Sequence, residues 1–111
     1  MIEKIVLDYL EDQLDYPVGM EVPEDTDQEF IVIEKTGSGK TDHISNSTIA
    51  IQSYAESLYR AASINEEVKA AMDNICSLPE IVRSTINSDY NYSDTSSRRY
   101  RYQAVYDLIH Y

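Results

Sequence analysis

The sequence predicts an α+β domain of two layers, a mostly antiparallel sheet of about five strands packed against two helices in the order α-β-β-β-α-β-β. Three observations predict it. Apolar residues recur at helical spacing in two separate stretches, the last third of the chain alternates residue by residue as strands do, and only three Gly and three Pro interrupt 111 residues. No internal repeat, low-complexity block or linker divides the chain, so residues 1–111 read as one domain with a modest core.

Taken in order, Ile2, Ile5, Val6, Tyr9, Leu10 and Leu14 give an amphipathic first helix ended near Pro17. Val18 to Val22 form a short extended piece before the acidic turn Pro23-Glu24-Asp25-Thr26-Asp27. Glu29 to Lys35 is apolar on both faces and reads as an inner strand. Thr36 to Thr41 reads as a flexible turn, with Ser45 to Tyr54 returning as the second arm of a long hairpin. Ser53 and Glu56 are spaced as a capping box for a helix whose inner side is Tyr54, Leu58, Ala61, Val68, Met72 and Ile75, and which stops before Pro79. A second box, Ser63 with Glu66, marks a kink or break. Ile81 to Tyr92 and Arg98 to Tyr111 are two strands around Ser93-Asp94-Thr95-Ser96.

The charge is unevenly spread. Residues 1–34 carry eleven acids against Lys4, residues 35–97 add a balance of −3, and residues 98–111 contribute +2, for a net −11. An acidic field of this size repels phosphates, which argues against binding DNA or RNA through the whole surface. The basic exception is the start of the last strand, where Arg98, Arg99 and Arg101 are interleaved with Tyr100 and Tyr102. Even positions there, Tyr100 to Leu108, share one face, and Arg99, Arg101, Gln103, Val105 and Asp107 share the other. With ten Tyr, one Phe and no Trp, the aromatic content favours surfaces that are buried on assembly. Tyr90 reads as sheet packing, and Tyr106 suits either role.

Patterns that suggest catalysis fail on inspection. Gly37-Ser38-Gly39-Lys40-Thr41 ends like a phosphate-binding loop, but Glu34 occupies the place of the first glycine and no helix follows. Glu21, Glu24, Asp25, Asp27 and Glu29 lack the spacing and glycine of a calcium loop and read as a solvated turn. His43 and His110 have no companion at metal-ligand spacing, and Asp42 and His43 are adjacent, so their side chains point apart. No serine sits in a nucleophile elbow. The expectation is a protein without enzymatic activity, cofactor or metal. Cys76 is alone, which excludes an internal disulfide, and it reads as a small buried hydrophobe at a helix end. Met1 to Ile5 lack a leader pattern and no apolar run approaches membrane-spanning length, so a soluble protein not exported by that route is expected.

Four runs carry a resemblance: Met20 to Asp25, Phe30 to Gly37, Ile49 to Ala55, and Arg99 to Tyr106. They resemble small proteins encoded in the neck and tail genes of siphophages and prophages, and look like the tail terminator, or tail-completion, family of Gram-positive hosts, sometimes labelled minor capsid protein. The resemblance implies a virion structural protein, present in the host cytoplasm during assembly. It would form a hexameric ring that caps the tail-tube protein and joins it to the head-neck connector, with DNA passing through the lumen without specific binding.

In such a ring each subunit offers two different patches to its neighbours. Arg98, Arg99, Tyr100, Arg101 and Tyr102 are the candidates for one, and Glu24, Asp25 and Asp27 for the other, with Lys35 and Lys40 as further contacts to a subunit or the tail tube. Other readings are a different neck or head-closure protein, a small acidic phage protein that binds a host protein, and an enzyme, which would require nucleotide affinity at Lys40.

Overall fold

The computed structural model describes residues 1–23, 29–93 and 99–111, and its first element, α1 (Ile2–Gln13), follows from the apolar spacing. Ile2, Val6, Tyr9 and Leu10 are buried on one side, while Lys4 and Asp8 pair across a turn on the other at 2.8 Å. The helix ends at Gln13, short of Pro17, because Leu14 is already extended at φ −126° and ψ 155°. Pro17 instead lends its carbonyl to the sheet, accepting from the Ile31 amide at 2.9 Å. The next strand, β1, is only Val18–Gly19 where the sequence predicts Val18 to Val22, and it pairs parallel to Ile31 and Val32.

β2 (Phe30–Thr41) and β3 (Ile44–Ala55) make the predicted hairpin with a different turn. The chain stays extended through Thr36 to Thr41 and reverses over Asp42 and His43 alone, at φ 50° and 69°. A two-residue turn that matches the twist of its strands needs positive φ at both positions, and Asp and His are among the side chains that tolerate it. The glycines that suggested a turn serve the strand instead. Thr36 is the extra residue of a bulge before Gly37, and a Cβ on Gly39 would come within 3.1 Å of Asn46 Oδ1.

α2 (Leu58–Met72) is capped by Ser57, whose hydroxyl accepts from the Arg60 amide at 3.1 Å. The Ser53 and Glu56 box is therefore wrong: strand pairing continues to Ala55, and Ser53 is buried opposite Tyr102. The break at Ser63 and Glu66 is also absent, since α2 runs unbroken with Ala61, Ile64, Asn65, Val68 and Met72 turned inward. A 3₁₀ turn, Ile75–Ser77, follows. Consecutive side chains diverge by about 120° in that geometry, so burying Ile75 leaves Cys76 exposed, contrary to the buried thiol expected.

β4 (Ile81–Asn91) and β5 (Tyr100–His110) complete a five-stranded sheet of order β1-β2-β3-β5-β4, antiparallel except for the β1–β2 pair. The α+β architecture and element order match the sequence reading. β5 lies between β3 and β4, so its backbone is paired on both sides and it offers a face rather than an edge. The open sides are those of β4, paired only with β5, and of β2, which β1 covers only at Ile31 and Val32 among the described residues. Both helices pack on one face of the sheet, where Val6, Leu10, Ile33, Ile49, Ile51, Ile64, Val68 and Leu108 form the core. Each such side chain contributes on the order of 1.5–3 kcal/mol by leaving water.

Candidate interaction face

The face of the sheet away from the helices is set by register. Phe30, Tyr54 and Arg101 lie in one row across β2, β3 and β5, and Val32, Gln52, Gln103 and Tyr90 lie in the next. Phe30 and Tyr54 stack with centroids 4.6 Å apart at 15°. The Arg101 guanidinium stands 5.7 Å from the Tyr54 centroid and 4.4 Å from that of Tyr92, donating from Nη1 to Tyr54 Oη at 2.9 Å and from Nε to the Tyr92 carbonyl at 2.6 Å. Arg99 lies 5.6 Å over the Phe30 ring. In the second row Gln52 Nε2 donates to Gln103 Oε1 at 2.8 Å, and Gln103 Nε2 to Tyr90 Oη at 2.5 Å. Farther along, Asp107 accepts from Thr48 at 2.9 Å and from Asn87 at 3.0 Å.

These bonds hold the side chains in fixed positions before any partner arrives. Phe30, Tyr54, Gln52 and Gln103 are buried, whereas Tyr90 and Tyr92 remain 40% and 45% exposed and meet edge to face at 5.7 Å. The result is an ordered aromatic platform whose open part lies toward β4. Such a surface suits protein contact, because tyrosine and arginine lose little side-chain entropy when already fixed. No family model matches this chain, and no curated protein matches it.

Several residues predicted to form one patch are divided by the sheet. Arg99 and Arg101 share the platform, while Tyr102 faces the helices and packs against the core. Tyr100 lies on that same side, opposite Ala55, and is 41% exposed. Lys35 reaches Glu3 Oε1 at 3.8 Å, and Lys40 lies exposed farther along the hairpin. Glu24, Asp25, Asp27 and Arg98 fall outside the described residues. Tyr106 is in the core, whereas Tyr90, read as sheet packing, bonds to Gln103 and meets Tyr92 yet stays 40% exposed.

Among the described residues no three of His, Cys, Asp and Glu converge where a metal ion would fit. Glu29 is instead held by Arg60 Nε and Nη2 at 2.6 and 3.0 Å, and those hydrogen bonds keep its carboxyl below the usual carboxylate range. Gly37 to Thr41 pair with β3, so their amides do not gather around a phosphate. No helix among the described residues is long and apolar enough to cross a membrane.

The sequence reading missed Ser47 and His110, 63 residues apart, whose Oγ and Nε2 meet at 2.8 Å in a buried position. His110 Nδ1 lies 3.1 Å from the Tyr111 carbonyl; a proton there leaves Nε2 to accept from the Ser47 hydroxyl. Both residues sit within paired strands whose amides are already bonded, so no pair of free donors faces Ser47, and the contact ties β3 to β5. It adjoins a depression of about 390 Å³ that Lys35 and Lys40 also line.

A second depression, of about 600 Å³, lies between α2 and β4. Above it Lys69 is held between Asp89 at 2.6 Å and Glu66 at 2.9 Å, which raises its ammonium well above the ordinary value. Asn65 donates to the other oxygen of Asp89 at 2.6 Å, fixing α2 to β4.

Proposed function

We propose that this protein is a phage tail terminator, a ring-forming virion component that caps the tail tube and joins it to the head-neck connector. It works through surfaces and carries out no reaction. The observation that carries this reading is the exposed pair Tyr90 and Tyr92, held in place by Arg101 and by the buried Gln52–Gln103 pair, on the side of the sheet that neither helix covers. The resemblance of the Phe30 to Gly37 and Arg99 to Tyr106 runs to tail-completion proteins names the kind of assembly.

The acidic balance of −11 supports a lumen that lets DNA pass without gripping its phosphates. Arg99 and Arg101 are the proposed basic contacts on the platform, with Tyr100 beside them on the opposite face. The test is tube length: tail-tube protein polymerised with this protein should give shorter tubes capped at one end. Tubes of unchanged length, with the protein left monomeric, contradict the reading.

A further inference from the structure

The groove between α2 and β4 is lined by Glu66, Lys69, Met72, Asp73, Cys76 and Tyr106, among others, and its floor holds an unused polar group. Tyr106 is only 4% exposed, yet its hydroxyl has no hydrogen-bond partner among the described residues. Burial pushes that phenol up to about 12, so it stays protonated at neutral pH and able both to donate and to accept. That hydroxyl opens into the groove and is not sealed from water, so an incoming polar group can reach it.

The charge of that group follows from the walls. Lys69 is already engaged by Asp89 and Glu66, whereas the Asp73 carboxylate makes no ion pair among the described residues and lends its negative field to the phenol. Met72 and Ile86 supply apolar sides. A cation on a long alkyl stem fits: the stem lies along the apolar walls and the head meets Asp73 and Tyr106.

Most cations among the described residues are engaged within the chain, Arg99 and Arg101 on the aromatic platform. Lys4 pairs with Asp8, Lys35 reaches Glu3, Arg60 binds Glu29, and Lys69 is held as described. Lys40 and Arg83 make no ion pair among the described residues, and Arg83 belongs to β4, beside the groove itself. Lys40 stands exposed on the β2–β3 hairpin, at the opposite edge of the sheet from β4.

We infer that Lys40, on the hairpin of one copy, enters the α2–β4 groove of the next copy and meets Asp73 and the Tyr106 hydroxyl there. The inference rests on the ring reading and names its contact. Because donor and acceptor lie at opposite sheet edges, the contact is head-to-tail, the kind of interface from which rings are built.

Cys76, the sole cysteine, lies in the groove and reports on it directly. Ser38→Cys, two residues from Lys40 along β2 and lining the same hairpin depression, places a second thiol nearby. Oxidation of the assembled protein by diamide, which takes up the two electrons and two protons that the thiols release, should give a reducible ladder of linked copies. Adding Cys76→Ser should abolish it. Independently, Lys40→Glu or Asp73→Lys should weaken assembly by about tenfold or more, and the two together should restore it to within about threefold. Asp73 is the C-cap of α2, where a lysine suits the helix dipole, so the swap spares the fold. Rings that form on tube ends without the disulfide ladder, and with Lys40→Glu assembling normally, overturn this contact while leaving the ring reading intact. Copies that stay monomeric on tube ends overturn both.

Discussion

The Arg101 guanidinium lies 4.4 Å from the centroid of the Tyr92 ring, and its Nε donates to the Tyr92 carbonyl at 2.6 Å. One side chain thus joins β5 to the end of β4 and, through Tyr54 Oη, to β3. Arg101 therefore serves the fold as well as any partner.

Arg101→Ala should destabilise the protein by about 2 kcal/mol, given a hydrogen bond from a charged donor and a cation–π contact. Arg101→Lys should recover less than half of that, because an ammonium cannot bond to the Tyr92 carbonyl and Tyr54 Oη while stacking on the ring. Urea denaturation midpoints of the three proteins decide it.

The two candidate caps of α2 separate cleanly. Ser57→Ala should cost about 1 kcal/mol, since the Arg60 amide loses its acceptor. Ser53→Ala should be neutral or stabilising, because the Ser53 hydroxyl is buried without a hydrogen-bond partner. Equal losses from both, in thermal or urea unfolding, would contradict the observed helix start.

His43 holds φ at 69° in the hairpin turn, a conformation that glycine adopts without penalty. His43→Gly should stabilise the protein by about 1 kcal/mol, as read from its unfolding midpoint.

The Tyr106 phenol is raised from 10.0 to about 12, first by burial and then by Asp73. Its folded form therefore holds a proton that the unfolded chain has released. The stability this contributes is whole below pH 10 and is lost as pH rises towards 12. Tyr106→Phe removes that titration, so the stability difference between the two proteins should shift in favour of the variant across this window. A difference that stays constant with pH would contradict the burial of the phenol.

The elements legible in the sequence were those with an unmixed period. Ile2, Val6 and Leu10 in α1, Ala61, Val68 and Met72 in α2, and the alternation from Tyr102 to Leu108 in β5 all face the core as spacing predicts. The hairpin turn was misplaced because Gly37 and Gly39 are marked as turn residues by composition, whereas their use is a bulge and a close approach to Asn46. Ser53 and Ser57 both satisfy local capping rules, and only strand pairing to Ala55 chooses between them. The platform was legible by half: alternation put Arg99 and Arg101 on one face, but bringing Tyr54 and Tyr92 to Arg101 depends on the registers of β3 and β4 against β5. Ser47 with His110, and Tyr106 with its groove, are products of the same long-range pairing and leave no local signal.

The most direct test of the account is electron microscopy of tail-tube protein polymerised in the presence of this protein. The account predicts rings of six copies seated on tube ends and tubes that stop growing once capped. Bare tube ends, with this protein monomeric in solution and the tube length unchanged, would contradict it.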